Sequence, residues 1–149
     1  MEVSEKTLQV LKEAGWYSGR KIDVFSSIEF LRLKGFEIFE AAERFLEEFG
    51  ELEIKIEYEI KRREVIKRIR YHHTNVEKTI GELRKEHFDI EEETGEKTVP
   101  VGEIYNRNLT LFISESGKLY CTTGKEGDTV WEGLDNIICE KGGKDWGEF

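Results

Sequence analysis

Between Leu52 and Ile60 the apolar residues Leu52, Ile54, Ile56, Tyr58 and Ile60 alternate without interruption with Glu53, Lys55, Glu57 and Glu59. A period of two sends one set of side chains to a packed face and the other to water, which describes a half-buried β-strand. The chain ahead of it follows a different period. Ser4 is a good N-cap, with Val3 and Leu8 spaced as a hydrophobic staple, and Leu8, Val10, Leu11 and Ala14 give an apolar stripe over a helix of about 5–14 that Gly15 stops. Asp23 is placed to cap a second helix in which Phe25, Ile28, Leu31 and neighbouring Phe30 and Leu33 recur at helical spacing, ending at Gly35. A third carries Phe39, Ala42, Phe45, Leu46 and Phe49 on one face up to Gly50. Helices that precede a strand of this kind, rather than alternating with strands, indicate an α+β fold.

After the strand, Lys61-Arg62-Arg63-Glu64 forms a tight connection and Val65–Tyr71 a second strand. Thr74-Asn75-Val76-Glu77 has the form of a capping box and predicts a helix to about His87, with Val76, Ile80 and Leu83 inward. Short strands follow at Val99–Tyr105, Leu109–Ile113 and Lys118–Thr123, separated by turn-forming residues that make an antiparallel meander the economical arrangement. Gly124-Lys125-Glu126-Gly127-Asp128 reads as a loop, and a last helix runs from Val130 or Trp131 to Glu140, released by Gly142-Gly143. The expectation is one α+β domain over residues 1–149, with N-terminal helices packed on a mainly antiparallel sheet and a C-terminal helix. Nine Phe, five Tyr and three Trp in 149 residues are enough to fill such a core.

No stretch nears the roughly 18 apolar residues of a membrane span, and the N-terminus lacks a signal-peptide pattern, so a cytoplasmic location without membrane contact is expected. Cys121 and Cys139 lack the spacing of a zinc site or disulfide framework and read as buried thiols. Tyr71-His72-His73 with His87 is the histidine group. Adjacent histidines on a strand face opposite ways, which argues against one shared metal. Ser114, Ser116 and Cys121 have no nucleophile elbow or arranged partners, and Gly124–Gly127 does not make a phosphate loop. No catalytic residue, metal or cofactor is expected, and the chain does not read as an enzyme.

The net charge of −9 is uneven: residues 88–149 hold 14 acidic and 6 basic side chains, whereas residues 51–87 hold 8 and 10. Lys61, Arg62, Arg63, Lys67, Arg68 and Arg70 form the basic group. Glu53, Glu57, Glu59 and Glu64 in the same hairpin are expected to pair with it across the strands, so no nucleic-acid partner is expected. Glu91-Glu92-Glu93, with Asp89 and Glu96 beside them, reads as an exposed acidic loop next to Thr94-Gly95. Trp131 reads as a core residue, with a partner anchor as its other role.

Ala14-Gly15-Trp16-Tyr17-Ser18-Gly19-Arg20-Lys21-Ile22-Asp23 resembles the AGW-x-x-GR-x-x-D start of the third subfamily of the SUKH superfamily of bacterial immunity proteins. Phe45-Leu46-Glu47-Glu48-Phe49-Gly50 with Leu52, Val99-Pro100-Val101-Gly102, the hairpin closing on Ser116-Gly117-Lys118-Leu119-Tyr120, and Trp131-Glu132-Gly133-Leu134 are similar to later landmarks of that family, in the same order. Tyr71-His72-His73-Thr74-Asn75 departs from it, standing where a more acidic or proline-bearing stretch belongs. The resemblance implies a non-enzymatic domain that binds and neutralises a polymorphic toxin of bacterial competition, with a protein-interaction or regulatory module outside any toxin pair as the alternative. If the toxin is a nuclease, a basic surface on it would favour an acidic inhibitor. On that basis Glu91, Glu92, Glu93, Asp128, Glu132 and Asp135 are the expected partner-contacting residues. Trp16 is expected to wedge between the first helix and the sheet or second helix, and Arg20 to hydrogen-bond carbonyls or a carboxylate near the turn.

Overall fold

A computed structural model of the chain describes residues 3–79, 83–141 and 144–145, the side chains of 83–88 and 144–145 being left aside. Among these residues the order is α1 (Glu5–Glu13), α2 (Phe25–Leu33), α3 (Glu40–Phe49), β1 (Glu53–Lys61), β2 (Val65–His73), a 3₁₀ turn (Val76–Lys78), α4 (Leu83–Thr94), β3 (Thr98–Ile104), β4 (Leu109–Ser114), β5 (Leu119–Cys121), β6 (Gly124–Gly127), α5 (Val130–Ile138) and β7 (Lys144–Asp145). The seven strands form one antiparallel sheet in chain order. The fold is therefore α+β, with N-terminal helices on an antiparallel sheet and a helix near its C-terminal end.

The sheet is covered on both faces. Leu111 and Ile113 of β4 join Leu11, Leu31, Phe45, Leu46, Phe49, Leu134 and Ile138 in the main core, so α1, α3 and α5 lie on that side. Phe112 points the other way by strand alternation and packs with Tyr120 and with Ile90 of α4 in a second cluster. Helix α5 lies unusually close to the sheet. An added Cβ at Gly127 would stand 2.3 Å from the Gly133 nitrogen, and one at Gly133 would stand 2.6 Å from Leu119 Cδ1. Only glycine at both positions permits that approach.

The helix starts follow their capping chemistry. Ser4 accepts from the Thr7 amide, and Gly15, at φ +113°, takes the left-handed turn after α1. Asp23 serves α2 from one residue outside: Val24 is the N-cap, and the Asp23 carboxylate accepts from the Phe25 amide at 3.0 Å. Ser27 and Leu31 are buried, whereas Phe25 is 70 % and Leu33 84 % exposed, so neither of these two takes part in the buried face.

Three further expectations are corrected. Thr74 does not open a long helix. Its hydroxyl is buried, donates to the Phe49 carbonyl at the end of α3 and accepts from the Leu52 amide at 3.0 Å, which takes it away from any cap. Asn75 caps instead, accepting from the Glu77 and Lys78 amides, and the turn closes after one 3₁₀ winding. The expected inward position Ile80 lies outside the described residues, as do Gly142 and Gly143. Helix α4 then runs to Thr94, so Glu91, Glu92 and Glu93 are helical rather than in a loop. Lastly, Gly124–Gly127 is strand β6 rather than a loop, because pairing with β5 satisfies its backbone.

Candidate functional site

The Gly15–Arg20 junction is fastened to the C-terminal end of α3, where a helix leaves carbonyls without internal partners. Arg20 Nη1 donates to the Glu48 carbonyl at 2.7 Å and the Ile22 amide to the Glu47 carbonyl at 3.0 Å, in agreement with the role expected of Arg20. The Trp16 indole Nε1 donates to Glu48 Oε2 at 3.1 Å. Its ring stacks on Phe49 at 6.4 Å and meets the edge of Trp131 at 5.3 Å. Trp16 thus wedges between α3 and α5, within the same core cluster as the inner face of the sheet.

Trp131 closes this aromatic stack while remaining only half-buried. It forms the floor, with Phe39, Phe45 and Phe49, of a groove of about 600 Å³ between α3, α5 and the turn Glu115–Gly117. One wall carries Glu48 and the Glu40–Arg44 ion pair, and Glu115 stands on the other. An apolar floor of large aromatics inside a charged rim is the usual anatomy of a protein-binding hot spot. Sequence reasoning set Phe39, Phe45 and Phe49 down as core alone and did not single out Glu40, Arg44, Glu48 or Glu115. The signal was Trp131, which serves as core and as floor at once.

The six acidic residues singled out from the sequence fall into different environments. Glu92 and Glu93 are exposed at the end of α4, whereas Glu91 is half-buried and ties that helix to β3 by accepting from the Thr98 amide at 2.7 Å. Asp128 is exposed and pairs with Lys125 at 2.8 Å. Glu132 is half-buried in the first turn of α5, where Oε1 accepts from the Asp128 amide and its own amide donates to Thr129. Asp135 is a correction. It is 6 % exposed and accepts from the Ser4 amide, the Ser4 and Thr7 hydroxyls and Lys141, so it joins α1 to α5 and offers no surface to a partner.

Glu96 and Asp128 both lie within electrostatic reach of the Tyr120 hydroxyl, which burial, helped by these carboxylates, pushes up to about 12. Glu96 also accepts from the Ser116 amide at 3.0 Å, and Glu115 from the Lys97 amide at 3.0 Å. Glu96, just past α4, thus reaches the Ser116 turn that lines the groove, whereas Ile90 of α4 and Tyr120 pack on the other face of the sheet.

Groups that might carry chemistry are engaged elsewhere. His72 and His73 face opposite sides of the sheet, and the side chain of His87 lies outside those described. His72 Nδ1 accepts from the Tyr105 amide at 2.9 Å, and burial lowers the ring to about 4. His73 Nδ1 accepts from the Asn75 amide, which leaves Nε2 to donate to Glu103 at 2.8 Å; burial lowers this ring too, against the pull of Glu103. Among the described residues no cluster could hold a metal ion. Burial and the neighbouring Glu126 push the Cys121 thiol up to about 12, which leaves it without nucleophilic character near neutrality. Cys139 is half-buried rather than buried, against Ser4 and Thr7.

The basic hairpin also differs from expectation. Glu59 faces Lys67, but Glu57 faces Ile69, Glu53 pairs with Lys78 at 2.6 Å, and Arg70 lies over Tyr58 and pairs with Glu140. Side-chain reach, rather than composition, decides these partners, and no ion pair with a described residue forms at Lys61, Arg62, Arg63, Lys67 or Arg68.

No described helix is long and apolar enough to cross a membrane. Comparison with curated proteins and with solved structures gives no match. The family model for the SUKH-3 immunity protein matches residues 3–140. That span takes in the Trp16 junction, both layers on the sheet and the aromatic groove, and the chain belongs to the SUKH-3 immunity protein family.

Proposed function

We propose that this protein acts by binding, not catalysis: it seats a toxin domain on the groove between α3 and α5 and on the acidic surface beside it, and so protects a bacterium from a toxin used in competition. The observation that carries this reading is the half-buried Trp131 on an aromatic floor, inside a rim containing Glu40, Glu48 and Glu115. Family membership supports the immunity role, and the groove and its charge support the site. The carboxylates favour a toxin with a basic surface, of which the substrate cleft of a nuclease is one chemical type, because opposite potentials speed encounter more than they deepen affinity.

The test uses the full chain and a toxin domain that it is found to neutralise. Replacing Glu92, Glu93 and Asp128 together by lysine alters exposed side chains only and is expected to slow association about tenfold or more at low salt, with melting temperature and secondary structure unchanged. Unchanged association at low salt by a variant that still neutralises the toxin would place the interface elsewhere.

A further inference from the structure

Strand β1 ends the sheet: it pairs with β2 on one side, and on the other none of its backbone groups bonds to a described residue. A nine-residue edge on which no described strand pairs is a template for another strand, although α1 comes close to its Glu53 end. Its solvent-facing row reads Glu53, Lys55, Glu57, Glu59, Lys61. Placed antiparallel to itself with Glu57 at the two-fold axis, this row puts Glu53 opposite Lys61 and Lys55 opposite Glu59, each twice by symmetry, with a single like pair at Glu57. On the other face Ile54 comes opposite Ile60, and Ile56 opposite Tyr58.

Neighbouring registers that keep the same faces lose this match. Moving the axis to Tyr58 sets Lys55 against Lys61 and Glu57 against Glu59. Moving it to Ile56 keeps Lys55 opposite Glu57 but sets Glu53 against Glu59, so attraction and repulsion cancel. Register in a sheet is specified by such patterns, and opposite charges directly across strands stabilise whereas like charges destabilise. The self-complementary arrangement also covers Tyr58 and Ile60, which are only half-buried in the single chain.

We infer that the exposed edge of β1 is a docking surface for a second copy of this chain, joining two sheets into one through antiparallel β1–β1 pairing centred on Glu57. The occupant is fixed by the charge pattern, which answers to its own sequence reversed. The inference stands apart from toxin binding, since the groove on α3 and α5 is built from other residues.

Sedimentation equilibrium of the full chain across a wide concentration range reads the association, and hydrogen exchange of the β1 amides reads its place. The wild type is expected to form dimers with slowed exchange in β1 as concentration rises. Lys55→Glu alone and Glu59→Lys alone each turn two attractive pairs repulsive and should weaken dimerisation about tenfold. The double variant K55E/E59K restores opposite charges and should recover it. Thermal melts of all three confirm that the hairpin stays folded, since Glu59 also faces Lys67 within the chain. A monomer at every concentration, or a folded double variant that dimerises no better than either single one, would overturn the inference.

Discussion

Two interior polar regions of this protein are built from similar groups and settled in opposite ways. Where α1 meets α3 and α5, polar atoms are matched: Asp135 receives Ser4, Thr7 and Lys141, and the Trp16 indole reaches Glu48. Around Tyr105 they are not. His72 Nε2 and Glu126 Oε2 are buried without a hydrogen-bond partner among the described atoms, His72 packing edge-on against Tyr105 at 5.1 Å and Glu126 within electrostatic reach of the Tyr105 hydroxyl. Burial raises Glu126, whereas at Asp135 burial pulls the same way and is outweighed by the bonds from Lys141, Thr7 and Ser4, which hold that carboxyl well below the usual range. A buried carboxylate is therefore a fastening or a liability according to its donors.

The sharpest way to break the matched region is to remove its centre. Trp16→Ala should cost about 3–5 kcal/mol, the range for truncating a buried aromatic, because both ring contacts and the Glu48 bond go with the side chain. Urea unfolding measures it. A loss below about 1 kcal/mol would show that Phe49 and Trp131 close over the gap and that the junction is not what holds α1 to α3.

The unmatched region should declare itself through pH. The His72 ring, lowered to about 4 by burial, with the charge of Arg70 adding to it, stays neutral in the folded protein while its unfolded counterpart takes a proton near 6.5. The unfolded state binds more protons between these values, so stability from His72 is complete above about 6.5 and is lost as pH falls towards 4, by about 3 kcal/mol at most. Asp135 works lower: its contribution is present above the ordinary aspartate value of 3.8 and lost only as pH falls beneath it. His72→Asn keeps an acceptor near the position of Nδ1 for the Tyr105 amide and carries no titrating group. Denaturation from pH 7 to 4.5 should show a flatter curve for this variant than for the wild type, and parallel curves would remove His72 as the acid-sensitive group.

The same contrast marks what the sequence could and could not convey. The strand at 52–60 was legible because its period is local and uninterrupted, and α1 because Ser4 and Gly15 bracket it. The turn at Thr74 was not: a threonine three residues before a glutamate is a cap only if its hydroxyl is free, and the Phe49 carbonyl, 25 positions away in the chain, claims it. Asp135 shows the same limit at the candidate site. In the chain it looks like Glu92 or Asp128, and only the approach of Ser4 and Thr7 from the other end separates an internal tie from a surface charge. The groove was hidden for a related reason, since Phe45 and Phe49 supply core and floor with one helical face.

Glu126→Gln gives the smallest expected effect and the finest test of the comparison. The amide keeps an oxygen to accept from the Cys121 thiol and places an NH₂ group where Oε2 now lacks a partner, while removing any buried charge. Because the folded carboxyl holds its proton to a higher pH than the unfolded one, its stabilising influence is present at low pH and is lost as pH rises through the raised value. The neutral variant should thus match the wild type near pH 5 and exceed it by roughly 1 kcal/mol at pH 8, within the range for relieving a poorly satisfied buried polar group. A substitution that destabilises equally at both pH values would mean that Glu126 is satisfied after all, and that the region around Tyr105 differs from the Asp135 tie in composition alone.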